Sequence, residues 1–308
     1  MSIAFLLPGQ GSQYPEMLDK LPEHPAVRET LAQAAAVLGE DPRLLDSEQA
    51  LQSTVNVQLG LLIAGVSVAQ ALQAGGLSPA AVAGLSVGAY AAAVICGTLQ
   101  FKDAIELVRL RAQLMESQFA EGYGLSAIVG LTEQQVSRIV ARVHSENAPV
   151  FVSNINAHRQ IVIAGANAAM EDVLKEANQQ GATKAERLRV SVPSHCPLLL
   201  PVATRLEVEF QKLDLNDASI PYISNVRARP LRKANAIATD LATNVAHGVR
   251  WSDTTDVLAE LGCDLFLEMN PGHVLTSLAA EALPQIRSIA VEAVTLAYLK
   301  RIAANCSA

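Results

Sequence analysis

"AAVAGLSVGAYAAAVIC", residues 80–96, sets a serine between two glycines where the pattern of the chain changes. Before Gly84 the residues form a short apolar run, as in a buried strand. After Gly88 they continue as alanines, a tyrosine and aliphatics as far as Gly97, which is the composition of a helix and its stop. A serine at such a strand-to-helix turn has two readings. It is a small residue packed at a tight corner, or it is the nucleophile of an elbow, Gly84-Leu85-Ser86-Val87-Gly88. In the second reading the glycines let strand and helix pass closely. The helix N-terminus then aims free N–H groups and the positive end of its dipole at the place where an oxyanion would form.

Outward from this stretch the elements alternate. "IAFLL" (3–7) predicts a buried strand ending in the glycine-rich loop "PGQGSQ" (8–13), and residues 57–74 a largely buried helix stopped by Gly75 and Gly76. "FKDAIELVRLRAQLMESQF" (101–119) predicts a long amphipathic helix. The pattern implies an α/β fold with a mostly parallel sheet. Between 125 and 190 the rhythm changes. "SAIVGL" is a strand, followed by a helix capped by Thr132. "PVFVSNI" and "QIVIAG" are strands around a turn at Ala157–Arg159, and a helix and the last strand, "TKAERLRV", follow. The order βαββαβ is the ferredoxin-like pattern, so residues 125–190 are read as a small subdomain inserted into a core made of 1–124 and 191–308. Beyond it, "SVPSHCPLLLPVATRLEVEF" (191–210) reads as a helix, and "LFLEM" (265–269) as a strand leading to the loop "NPGH".

Half of the 308 residues are hydrophobic and 17% are charged, enough to bury a sizeable core. The net charge of −7 argues against nucleic acid as the main partner, because phosphate binding needs a basic face. The apolar N-terminus lacks a basic lead and breaks at Pro8 and Gly9, which favours a buried strand over a signal peptide. No long apolar run lacks polar interruptions, so no membrane span is expected. Cys96, Cys196, Cys263 and Cys306 show no paired spacing, so free thiols in a cytoplasmic protein are expected.

A nucleophile needs a base. Among the histidines, His24 lies between prolines, His144 at a polar helix end and His158 in a turn. His195, in "VPSHCP", is fixed between two prolines, while His273 follows "NPG" at the end of a strand, where α/β enzymes place functional loops. On pattern alone these two compete. In the helix over 101–119, Arg111 falls on the apolar stripe of Leu107 and Leu114, whereas Arg109 lies nearer the edge, able to pair with Glu106. A guanidinium on a buried stripe seeks an anion, which is either an internal carboxylate or that of a substrate held by two parallel bonds.

"LLPGQGSQ", "GLSVG", "RLRAQLM", "VPSHC", "YISNV", "GVRW" and "NPGHVL" stand in the motif order of the malonyl-CoA:acyl-carrier-protein transacylases, and the chain resembles that family over almost its whole length. The resemblance implies an α/β-hydrolase-like core with a ferredoxin-like insert. It implies Ser86 as the acylated nucleophile and His195 as its general base. Arg111 is then the holder of the malonyl carboxylate, Gln10 and Val87 supply the oxyanion-hole amides, and Asn244 offers the carbonyl that orients the histidine. It implies ping-pong transfer from malonyl-CoA to the phosphopantetheine-type thiol of an acyl carrier protein, with no metal or redox cofactor. Two positions depart from the family's usual "GHSLGE", since Leu85 stands for the histidine and Ala89 for the glutamate. With "YGLSAIVGL" downstream, the elbow looks most like the malonyltransferase (epsilon) subunit of bacterial malonate decarboxylase, whose partners are the carrier and other subunits of that complex. The alternatives are a transacylase of fatty acid or polyketide synthesis, a serine esterase or thioesterase using His273, and an inactive subunit that only docks a carrier. Arg227, Arg229, Arg232 and Lys233 form one basic cluster, read as a solvated loop or a local docking patch for an acidic carrier.

Overall fold

The computed structural model describes residues 2–119 and 121–305. At its centre β1 (Ile3–Leu7) is buried along its whole length. Ile3, Phe5 and Leu7 join one apolar cluster, and Ala4 and Leu6 another, so both faces of the strand are covered. A continuous apolar run is what a central parallel strand requires.

The chain then forms α1 (Pro25–Leu38), α2 (Thr54–Ala74), β2 (Ala81–Gly84), α3 (Gly88–Ile95) and α4 (Phe101–Gln118). After the inserted sheet come α7 (Leu200–Phe210), β7 (Tyr222–Ile223), β8 (Pro230–Leu231), α8 (Ala234–Thr243), α9 (Trp251–Glu260), β9 (Leu265–Glu268), α10 (Val274–Ala282), β10 (Arg287–Ala290) and α11 (Leu296–Asn305). The main sheet runs β10-β9-β1-β2-β7-β8 and is parallel except for the edge pair β7/β8. Apolar residues of α2, α3, α4, α7 and α8 cover one face, and those of α9 and α10 the other. The helix α2 is long and apolar enough to cross a membrane, but 83% of its apolar window is buried inside this fold, where it forms the central helix of the larger cluster. This agrees with the largely buried helix expected over residues 57–74.

The second sheet is built from β3 (Tyr123–Val129), β4 (Val150–Ala157), β5 (Gln160–Ala166) and β6 (Lys184–Arg187), with α5 (Glu133–Val143) and α6 (Asn167–Gln179) between them. Its order is β4-β5-β3-β6, all antiparallel, as the ferredoxin-like pattern demands. Thr132 caps α5 in a capping box with Gln135. One face of the sheet packs on α5 and α6 through Ile128, Ile139, Ile161, Ile163 and Met170. The opposite face presents Leu125, Val162 and Ala164 to Cys196, beside His195. The sheet also touches the core through its backbone: the Ile155 N–H donates to the Val249 carbonyl at 2.8 Å, and the Val249 N–H to the Ser153 carbonyl at 2.9 Å.

Two expectations need correction. Residues 191–210 are not one helix, since α7 begins only at Leu200 after a single turn at Pro197–Leu199. Pro197 lacks an N–H and drives Cys196 to an extended φ of −147°, which breaks the helix. Arg109 does not pair with Glu106; its guanidinium reaches the Val37 carbonyl at 3.5 Å, because α4 packs beside α1. Cys96, Cys196 and Cys263 are buried free thiols, while Cys306 lies outside the described residues.

Candidate active site

Strand β2 ends at Gly84 and α3 starts at Gly88, so three residues make the whole turn. A Cβ on Gly84 would land on the Gly88 carbonyl, and one on Gly88 would land on the Leu7 carbonyl. Only glycine permits this crossing of strand and helix. Ser86, at the apex, has φ 55°, in the left-handed region. Its N–H donates to Asn225 Oδ1 at 2.9 Å, while Asn225 Nδ2 donates to the Gly84 carbonyl at 2.7 Å.

The histidine contest is resolved by distance. His195 Nε2 lies 2.7 Å from Ser86 Oγ, and Nδ1 lies 2.6 Å from the Asn244 carbonyl. A carbonyl only accepts, so Nδ1 carries the proton and the Nε2 lone pair faces the serine hydroxyl. His195 itself has φ 61°, and its N–H donates to the Val245 carbonyl at 2.7 Å. His273 is exposed at the start of α10. Burial holds the His195 imidazole down to about 3; the Arg111 cation adds to this, and the bond to Asn244 opposes it. The ring is therefore neutral at pH 7, the form that can take a proton. Asn244 contributes through its backbone, while its buried side-chain amide has no partner among the described residues.

Arg111, from α4, is 1% exposed and forms no ion pair among the described residues. One of its terminal nitrogens donates to Gln58 Oε1 at 2.5 Å and the other to Ser86 Oγ at 3.2 Å, while Nε has no partner. Burial lowers its hold on the proton, yet a guanidinium stays charged at neutral pH. A buried cation with spare donors beside a serine hydroxyl is built to receive an anion.

Gln10, Val87, Ser86, Arg111 and His195 all line one cavity of about 500 Å³, closed on the far side by Asn156 and Val162 of the second sheet. Among the described residues the Gln10 and Val87 N–H groups donate to no internal acceptor. Such an arrangement can deprotonate Ser86, stabilise an oxyanion with two amides and hold a carboxylate one acyl length away. Of the basic cluster, Lys233 pairs with Asp217 at 2.7 Å and Arg232 donates to the Ser219 carbonyl at 2.9 Å, while Arg227 and Arg229 are exposed on the loop after Asn225.

Sequence reasoning missed Gln58 and Asn225. Gln58 is the one fully buried amide of α2, whose Asn56, Gln70 and Gln73 are only partly buried, and the sequence does not separate it from them. Asn225 stands in "YISNV", a stretch noticed for resemblance but with nothing local to reveal its target.

The family described as an acyl transferase domain matches residues 4–305. A malonyl CoA-acyl carrier protein transacylase of Escherichia coli strain K12 is 37% identical over 281 residues, covering 89% of this chain and 91% of that protein. The solved malonyl CoA-acyl carrier protein transacylase of Coxiella burnetii superposes with a TM-score of 0.91 at 35% identity, covering 95% of this chain and 94% of the other. A malonyl-transacylase solved in complex with a type II polyketide acyl-carrier protein gives a TM-score of 0.90 at 35% identity, over 95% of this chain and 96% of that one. With its elbow, its buried arginine and this likeness over nearly the full length, the chain belongs to the acyl transferase family, among the malonyl-CoA:acyl-carrier-protein transacylases.

Proposed function

We propose that the protein transfers malonyl from malonyl-CoA to a carrier-protein thiol through a malonyl-Ser86 ester. The observation that carries this reading is Arg111, a buried cation with no anionic partner among the described residues, 3.2 Å from Ser86 Oγ. A malonyl group esterified to Ser86 puts its free carboxylate two carbons beyond the ester carbonyl carbon, within reach of the guanidinium. In the first half-reaction His195 Nε2 takes the Ser86 proton as Oγ attacks the thioester carbonyl. The Gln10 and Val87 amides hold the resulting oxyanion, each such donor being worth about 3 kcal/mol. The C–S bond breaks, and the imidazolium returns the proton to the CoA sulfur. In the second half the carrier thiol gives its proton to His195 and attacks the ester, and the Ser86 hydroxyl leaves reprotonated. Asn244 keeps the imidazole in the tautomer that both halves require.

For the acceptor, the named relatives support the carrier protein of fatty acid or polyketide synthesis over that of malonate decarboxylase. The malonate decarboxylase carrier is a second reading, favoured by Leu85 and Ala89 at the elbow. Incubation with labelled malonyl-CoA tests the chemistry. A stable label on the Ser86 peptide, discharged by a carrier thiol, is expected. Rapid release of free malonate would favour a hydrolase, and absence of label a docking subunit. Discharge by each purified holo-carrier in turn identifies the acceptor.

A further inference from the structure

A residue with a Cβ enters the left-handed region only where its surroundings hold it there, and Ser86 is such a residue. The surroundings are the side chain of Asn225. Strand β7 pairs with β2 through Tyr222 with Val82 and Ile223 with Ala83, and there the backbone ladder stops. The Asn225 amide continues it across the bend, accepting from the Ser86 N–H at 2.9 Å and donating to the Gly84 carbonyl at 2.7 Å. One donor and one acceptor, side by side, are what a further peptide group would supply. Asn225 is 2% exposed and is itself fixed at both ends: its N–H donates to Asp240 Oδ2 at 3.2 Å, and its carbonyl accepts the Arg250 N–H at 2.9 Å. Asp240 is a buried carboxylate with no cationic partner among the described residues. It accepts instead from the Tyr222 hydroxyl at 2.7 Å, the Ser224 hydroxyl and the Val226 N–H at 3.4 Å. A carboxylate enclosed this way is tolerated only because hydrogen-bond donors surround it.

We infer that Asn225 is a positioning residue for acyl transfer, a clasp on Gly84 and Ser86 that keeps Oγ in line with His195 Nε2, and that Asp240 holds the clasp in register. The clasp also occupies the Ser86 N–H, which leaves the Val87 and Gln10 amides for the oxyanion. This inference rests on Ser86 being the acylated residue.

Asn225→Asp gives a sign that mere packing would not. The ionised carboxyl has acceptors only and would face the Gly84 carbonyl, oxygen against oxygen. The protonated carboxyl reproduces the amide, donating to Gly84 and accepting from Ser86. The charged and titratable groups around it are Asp240 on α8 and Tyr222 on β7, with His195 and Arg111 beyond Ser86. Asp240 favours the protonated carboxyl and Arg111 the ionised one, while burial keeps His195 neutral throughout.

The experiment measures single-turnover malonylation by malonyl-CoA from pH 8 to pH 5, the amplitude counting competent molecules and the rate constant describing them. The Asn225→Asp rate constant is expected to rise about 10-fold as pH falls, against a level or falling wild type. Asn225→Leu is expected to lower it about 5- to 100-fold at every pH with the KM for malonyl-CoA nearly unchanged, since Arg111 does not touch Asn225. Misfolded protein lowers the amplitude alone, and if the leucine variant does not fold the aspartate profile decides by itself. An Asn225→Asp profile parallel to wild type, or a wild-type rate constant for Asn225→Leu, would overturn the clasp. Wild-type protein labelled elsewhere than Ser86 would overturn the function proposed above instead.

Discussion

Ser86→Ala leaves the elbow, His195 and Arg111 standing and removes the atom that lies 2.7 Å from the imidazole. No covalent malonyl adduct is then expected by intact mass. His195→Ala is expected to slow acylation about 10²- to 10⁴-fold, while exposed His273→Ala stays near wild type; acylation rates measured together check the pair. Arg111→Ala should weaken malonyl loading by about 10²-fold or more and leave acetyl loading little harmed, because acetyl has no carboxylate for the guanidinium. Arg111→Lys restores part of the loss, since a point charge cannot make both bonds. An unchanged ratio of malonyl to acetyl ester would deny Arg111 its part in selectivity. The pH profile follows from the same two residues. The base must be neutral, and burial with the nearby cation moves the His195 value down to about 3, so kcat/KM is expected to stay level from neutral pH well into the acid range. Arg111→Ala removes the cation, and its acid limb, measured with acetyl-CoA, is expected at higher pH than that of wild type.

At the scale of elements the function depends on how closely α3 crosses β1 and β2. Gly88 meets the Leu7 and Pro8 carbonyls, which are backbone and cannot swing aside. Gly88→Ala must therefore push α3 off the sheet. Overpacking of this kind costs about 1–3 kcal/mol, read as a lowered urea midpoint, and acylation is expected to fall further than stability because the Val87 amide, proposed above as an oxyanion donor, moves with the helix. An alanine variant with wild-type stability and rate would mean that the crossing is looser than the backbone implies. The order of these elements was legible because apolar period and glycine stops are local properties. The segment at 191–210 was not read correctly, because its helical composition hid the effect of Pro197, which leaves an irregular stretch to carry His195.

Across the whole molecule the buried His195 links stability to pH. Its folded value lies below the ordinary 6.5, so below that pH the unfolded chain binds a proton that the folded one refuses. The contribution is complete above 6.5 and is lost as pH falls toward 3, at up to about 1.4 kcal/mol per pH unit. Asp240 and Glu268, raised by burial, act in the opposite sense but are common to wild type and His195→Ala. Urea unfolding at pH 6.5 and 4.5 should therefore show wild type losing about 2 kcal/mol relative to the alanine variant, and equal pH dependence would show that the imidazole is not held neutral. The sequence by itself determined the alternation of strands and helices, the βαββαβ insert, the glycines of the elbow and the burial of Arg111, because each depends on a spacing of a few residues along one element. The local pattern left His195 and His273 level and only the resemblance named His195 and the Asn244 carbonyl; the tertiary structure is what sets that ring against Ser86, that carbonyl behind it and Asn225 across the elbow. Those partners lie 109 and 139 residues from Ser86, or act through a backbone carbonyl that every residue possesses, so what selects them is the packing of one sheet against the other and not the identity of any neighbour in the chain.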